Sequence, residues 1–268
     1  LCAIAPAEDV TEEDDPAAAG LLLHTVLKKF YASCLGGEAD RSSNPALSEE
    51  RLRELFRAEF EASGLRDALP PESAAMLAVA GPERLSLYLA NQPETTSIRA
   101  LEEAFSVSVP VRGRSRQLAG TLDRVDWRSD ETGDGAVILD YKTGRIKAID
   151  PDIWEDEVFW ERISTANVEA TAAEPDPDLD MLPLIADRIP TVQLLAYCHL
   201  YGQATGEAVL NAAFVELGNE GGEHLLFGKE LSAEIREQAL AVRIPDLLRF
   251  ILLHMELCPE FRPREGVH

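Results

Sequence analysis

The sequence predicts an α/β fold, a mixed β-sheet core flanked by helices. Three observations carry that expectation. Apolar residues recur at helical spacing in the first and last parts of the chain, and the period changes to two after Pro93. A dense turn signal, Ser129 to Gly135, then separates two of the strand-like stretches. The 268 residues, 46% hydrophobic and 27% charged, suffice for a sizeable core and match neither a disordered tail nor a disulfide-dense scaffold.

Leu21, Leu22, Leu23, Val26, Leu27, Phe30 and Tyr31 predict a first helix that Gly36-Gly37 stops. Ser48 is a good N-cap for a second, to about Ser63, with Leu52, Leu55, Phe56 and Phe60 on one face. A third is expected from Ser73 to Ala90, with Gly81-Pro82 as the place where it divides. Phe105, Val107 and Val109 alternate with polar residues as a half-buried strand does. Leu118–Trp127 and Ala136–Tyr141 are the next two strands, making an antiparallel meander. Residues 145–187 are acidic and proline-interrupted, which predicts an insertion with short helical pieces around Trp154 to Arg162 and a flexible stretch near Glu174 to Asp180. A helix from Pro190 to Gly202, a strand from Ala208 to Leu217 and a long amphipathic helix from Ser232 to Leu257 complete the expected order.

Net charge is −23, which by itself argues against a nucleic-acid partner. Its distribution weakens that objection: residues 1–23 and 145–187 together supply fifteen of the excess negative charges, and the remainder is much closer to neutral. No apolar run approaches the ~18 residues of a membrane span, so no membrane association is expected. Cys2, Cys34, Cys198 and Cys258 form no C-x-x-C pair, and no secretory leader precedes them, so reduced thiols in a cytoplasmic protein are expected. The chain begins with Leu1 rather than Met, as expected of a fragment of a larger polypeptide.

The chemistry is concentrated in Gly120-Thr121-Leu122-Asp123-Arg124-Val125-Asp126 and Ile138-Leu139-Asp140-Tyr141-Lys142-Thr143-Gly144. Asp140 and Lys142 lie two apart and project from one face of a strand, where an antiparallel neighbour can bring Asp123 alongside. Two carboxylates beside a lysine suit a hard cation, Mg²⁺ or Mn²⁺ rather than zinc. Such an ion polarises a phosphoryl oxygen and acidifies a bound water, while the ammonium orients that water or neutralises developing charge.

With these motifs the sequence resembles the PD-(D/E)XK nuclease superfamily, and within it the RecB/AddB-type branch. Its ordered elements are a histidine on an early helix (His24), a Glu-x-x-Phe strand (Glu102 to Phe105), the Asp123 and Asp140 strands, and a Gln-x-x-x-Tyr helix (Gln193 to Tyr197). The resemblance implies a restriction-endonuclease-like fold, as one nuclease domain over 1–268 with a helical insertion at about 37–95 and the acidic one at 145–187. It implies metal ligation by His24, Asp123, Asp140 and the Tyr141 carbonyl, with Asp123, Asp140, Lys142, Gln193 and Tyr197 as the catalytic set. The activity implied is Mg²⁺- or Mn²⁺-dependent hydrolysis of DNA, as an exonuclease in recombination or repair, with a helicase domain or subunit as partner. Some AddB-type nucleases also hold an iron–sulfur cluster; Cys2 matches its first position, but Cys258 has no partners at cluster spacing, so no cluster is expected.

Each residue also has a plainer reading. A helical histidine is usually structural, Asp-x-Lys is common on exposed strands, Gly120 and Gly144 suit ordinary turns, and Tyr197 beside Leu195 and Leu200 suits the core. Glu102 competes with Glu103 for the inward register, and Asp126 is expected to pair with arginine or lie behind the ligands. Lys28 lies one turn after His24, placed for phosphate or for solvent. Arg112, Arg114 and Arg116, Arg145 and Lys147, and Arg262 and Arg264 are the candidate backbone contacts, or merely solvated turns. Asp130 to Asp134 resembles a calcium loop, but Tyr141 stands where its glutamate belongs, and no phosphate-binding loop of an ATPase is present. The alternative to an enzyme is a non-catalytic module of the same fold that binds a protein partner or DNA.

Overall fold

The computed structural model describes residues 2–3, 14–169, 181–219 and 221–257. The expected flexible stretch at Glu174 to Asp180, and Cys258, Arg262 and Arg264, lie outside the described residues. In chain order the elements are β1 (Cys2–Ala3), α1 (Asp14–Tyr31), β2 (Glu38–Asp40), α2 (Glu49–Ala62), α3 (Leu65–Ala68) and α4 (Pro71–Asn91). There follow β3 (Thr95–Val111), β4 (Arg114–Asp130), β5 (Gly133–Lys142), a 3₁₀ turn (Pro151–Glu155), α5 (Glu157–Glu169), α6 (Met181–Arg188) and α7 (Gln193–Thr205). Last come β6 (Val209–Glu216), β7 (Glu223–Leu225), α8 (Ala233–Gln238), a π-helical turn (Ala239–Arg243) and α9 (Ile244–Leu257).

The strands form one mixed sheet in the order β2-β3-β4-β5-β6-β7, with β1 added in parallel to β4. The meander β3-β4-β5 is antiparallel, as its turn chemistry predicts, and β5 pairs with β6 in parallel. Asp130 closes the β4–β5 turn by accepting from the Thr132 N–H and hydroxyl. β5 is central and buried on both faces, which explains its unbroken apolar run. Val137, Leu139 and Tyr141 pack under α1, α2 and α4 with Leu23, Phe30, Phe56 and Tyr88. Ala136 and Ile138 pack on the opposite layer, where α5, α7 and α9 bring Trp160, Leu195 and Phe250.

Several elements differ from the sequence expectation for identifiable reasons. The α4 helix runs unbroken through Pro82, because Gly81 and Pro82 are buried; a Cβ on Gly81 would fall within 2.2 Å of the Phe56 ring. The 37–95 segment is no appendage: β2 extends the sheet, and α2 and α4 supply much of one core layer. The acidic stretch carries the short helical pieces expected around Trp154 to Arg162, and its Ile153, Trp154, Phe159, Trp160 and Ile163 are buried. At about 1.5–3 kcal/mol per large apolar side chain, that burial fixes the segment against the sheet while Asp152, Glu155, Glu157 and Glu161 stay exposed. The last long helix is interrupted by the π turn immediately before Pro245, whose missing N–H cannot continue the regular ladder.

The feature that positions the site is a slip in side-chain alternation. On β4, Leu118 and Leu122 face the α7 layer, and so does Val125, of opposite parity. On β3, Ala100 and Phe105 show the same exchange. The ladder pairs Leu101 with Arg124 and Glu103 with Leu122, so the slip falls where Glu102 stands opposite Asp123. Glu102 takes a φ of 46°, in the left-handed region that a glutamate rarely occupies. Strain of this kind and bulge-like irregularities both re-aim side chains, and both concentrate at functional sites.

Candidate metal centre

The bend brings three donors together. His24, Glu102 and Asp123 each offer a ligand atom, all within 4.8 Å of one another. His24 is carried by α1, whose Leu23, Val26 and Leu27 bury the helix against the sheet. Its Nδ1 lies 3.4 Å from Glu102 Oε1 and 3.5 Å from Asp123 Oδ1, and its Nε2 lies 3.2 Å from the Tyr141 carbonyl oxygen. Burial alone would lower the His24 pKa, but the carboxylates of Asp123 and Glu102 outweigh it and lift the ring to about 10. A protonated imidazole thus supplies positive charge between the two acids.

Asp123 Oδ2 accepts a hydrogen bond from the Tyr141 N–H at 2.7 Å, which ties β4 to β5 beyond the last ladder pair. Asp140 lies to the side of the three-donor group, held by α7. Gln193 Nε2 donates to Asp140 Oδ1 at 2.8 Å and to the Tyr197 hydroxyl at 2.9 Å, while Lys142 Nζ donates to Gln193 Oε1 at 2.8 Å. Lys142 Nζ also lies 2.8 Å from Asp140 Oδ2 and 5.2 Å from the Phe214 ring centroid. Burial, then the charge of Asp123, push the Asp140 carboxyl up to about 6 against the opposing pull of Lys142. Burial likewise raises the Tyr197 hydroxyl to about 12, so it acts as a neutral hydrogen-bonding group.

Behind this cluster lies a buried ionic network. Arg124 pairs bidentately with Asp126 (2.6 and 2.9 Å), donates to the Tyr88 hydroxyl (2.8 Å) and stacks over Tyr31 (4.1 Å). Arg128 joins Asp126 to Glu223. Asp126 therefore pairs with arginines, as expected, and takes no place among the donors. The Tyr88 and Tyr141 hydroxyls are 3.2 Å apart, so the network reaches the residue whose carbonyl faces His24.

The donor set fits a divalent ion. Glu102 and Asp123 converge on His24, and the charge of Asp123 bears on the buried Asp140 carboxyl, a concentration of negative charge that a cation would relieve. Oxygen donors with one imidazole match a hard or borderline metal.

Glu102 is the residue that the sequence underrates. Counting in twos from Phe105 selects Glu103, and only the slip in the strand turns Glu102 inward. Gly120 lies in mid-strand rather than in a turn, and a Cβ there would stand 2.9 Å from the Tyr197 ring. The missing side chain lets α7 approach. Arg116 is engaged by Glu256, and the Arg112–Arg114 tip lies about 30 Å along β4 from Asp123. Arg145 and Lys147, by contrast, follow Lys142 directly and are exposed, with no ion pair among the described residues.

A mixed sheet carrying a half-buried His–Glu–Asp group, with Asp140 and Lys142 beside it, defines a metal-dependent nuclease fold. The chain belongs to the PD-(D/E)XK nuclease superfamily, whose family model matches residues 3–160. Its architecture is the restriction-endonuclease-like one. The match includes His24, Glu102, Asp123, Asp140 and Lys142 and ends before α7. No individual curated protein matches the chain. Among the described residues, no helix is long and apolar enough to cross a membrane.

Proposed function

We propose that the chain is a RecB/AddB-type nuclease domain, a Mg²⁺- or Mn²⁺-dependent deoxyribonuclease. It degrades DNA from ends during recombination or repair, in the cytoplasm and alongside a helicase domain or subunit. The observation that carries this reading is the two-sided enclosure of the strand motif. His24 approaches Asp123 from α1, and Gln193 and Tyr197 of α7 engage Asp140 and Lys142. Those are the two helical additions that the RecB/AddB resemblance implies. The buried free thiols Cys34 and Cys198 accord with a reducing compartment.

In this reading His24, Glu102, Asp123, Asp140 and the Tyr141 carbonyl hold the ion. When bound, it polarises the phosphoryl oxygen and lowers the pKa of a water. Asp140, held by Gln193 through Oδ1 and paired with the Lys142 ammonium through Oδ2, would join that set. Gln193 holds that ammonium beside the scissile group, where it neutralises charge that develops in the transition state. Tyr197 orients Gln193, and the bend in β3 keeps Glu102 aimed inward.

End-labelled single- and double-stranded DNA, incubated with Mg²⁺ or Mn²⁺, tests the proposal. Short products released progressively from ends are expected, and Asp140→Asn should remove both cleavage and Mn²⁺ binding. Internal cuts in closed circles would replace the exonuclease assignment. No cleavage by wild type with either metal would favour the non-catalytic binding module.

A further inference from the structure

Along the loop that follows Lys142 lies a cavity of about 320 Å³. Ile146, Ile149, Trp154, Leu194, Phe214 and Leu226 line it. Two of these are continuous with the site: Leu194 follows Gln193 on α7, and the Phe214 ring lies under the Lys142 ammonium. The volume is at the lower end of the range for small-molecule pockets, about 300–1,000 Å³. The charged lining residues, Lys147, Asp152, Glu155 and Glu230, are exposed and so belong to its mouth.

We propose that this cavity is a nucleobase subsite that takes one unpaired base next to the scissile phosphate, which makes single-stranded or frayed DNA ends the substrate class. The inference rests on the nuclease reading above. Charge complementarity selects the occupant. Three carboxylates at the mouth repel a phosphate, so the neutral base rather than the backbone enters. Arg145 and Lys147, on the loop between Lys142 and the cavity, hold the flanking phosphates. Apolar and aromatic walls accept any base, because every base has a π-face, and such contacts contribute about 1–3 kcal/mol. A paired base enters only after unstacking at a cost of a few kcal/mol, so the subsite discriminates against duplex.

The test steps a single abasic site through a single-stranded oligonucleotide and follows single-turnover cleavage with Mn²⁺. At one position beside the cut bond the abasic strand should be cleaved about 10-fold more slowly, the equivalent of about 1.4 kcal/mol. Ala148→Trp, which crowds the cavity from an exposed loop, should bring the intact and abasic strands to the same rate. Independently, an oligonucleotide with 2-aminopurine at that position, titrated with metal-free protein, should change fluorescence with wild type and not with Ala148→Trp. Equal wild-type rates at every abasic position would overturn the subsite and leave the nuclease reading intact. No wild-type cleavage at all would overturn the nuclease reading; 2-aminopurine fluorescence, scanned along the strand, then decides the subsite, and an unchanged signal sinks it. Should the tryptophan variant fail to fold, the wild-type abasic scan decides alone.

Discussion

His24 is positioned by charge before any ion arrives. Its raised pKa means that at neutral pH the ring is protonated, and a metal must displace that proton. Mn²⁺ affinity should therefore rise about tenfold per pH unit between roughly pH 6 and 10, and about twice as steeply below 6, where Asp140 must also ionise. Calorimetric titrations across pH check this, and His24→Gln should flatten the upper segment. The same shifts act on metal-free stability. Both groups have folded pKa values above their ordinary ones, so each contribution is complete at low pH. That of Asp140 is lost as pH rises through about 6 and that of His24 as it rises through about 10. Lys142 should act chiefly in the transition state: Lys142→Ala is expected to slow single-turnover cleavage ~100-fold or more while DNA affinity changes little. Unchanged cleavage would remove the lysine from the mechanism. Asp140 and Lys142 were legible because a regular strand puts alternate residues on one face, and both meet Gln193. Glu102 was legible only through the Glu-x-x-Phe motif of the resemblance, because its inward aim depends on a backbone irregularity that alternation does not encode.

Elements with strong local signals were the most readable. Ser48 caps α2 by accepting from the Arg51 N–H, and the meander follows its period of two and its Asp–Gly turn. The short strands β1, β2 and β7 were missed, since two or three residues carry no periodicity and are set by neighbours in the sheet. Pro82 misled because burial against a partner element overrides local propensity, whereas the short helical pieces expected around Trp154 to Arg162 are present. At this scale Gly120 is decisive, for it alone lets β4 and α7 approach with the Tyr197 ring between them. Gly120→Val should displace α7 and with it Gln193. A stability loss of about 1–3 kcal/mol is expected from overpacking. Cleavage should fall beyond that loss, measured by chemical denaturation and by kcat at a temperature where the variant is fully folded. Wild-type kcat in the variant would show that α7 placement does not govern the site.

For the whole molecule, a net charge of −23 and the proposed DNA substrate are reconciled by position. Arg145 and Lys147 are exposed on the loop that follows Lys142, and their replacement by alanine should reduce the slope of log K against log salt by about 1.4 on single-stranded DNA. The Arg112–Arg114 tip, far along the hairpin, should change it less; anisotropy titrations over a salt series separate the two. Weak binding by the chain alone is expected, with a partner supplying much of the grip. The contact between His24 and Tyr141 has a further consequence, for timing. These residues are 117 positions apart in sequence, so their contact closes a long stretch of chain that includes the meander. The donor group is thus a late product of folding, formed after the local hairpins have paired. A divalent ion should then slow unfolding of the finished protein and leave its refolding rate almost untouched, as stopped-flow measurements with Mn²⁺ and with chelator can show. On the proposed function, a nascent chain with this order of events would acquire its metal only once the sheet is complete, and cutting power would arrive last.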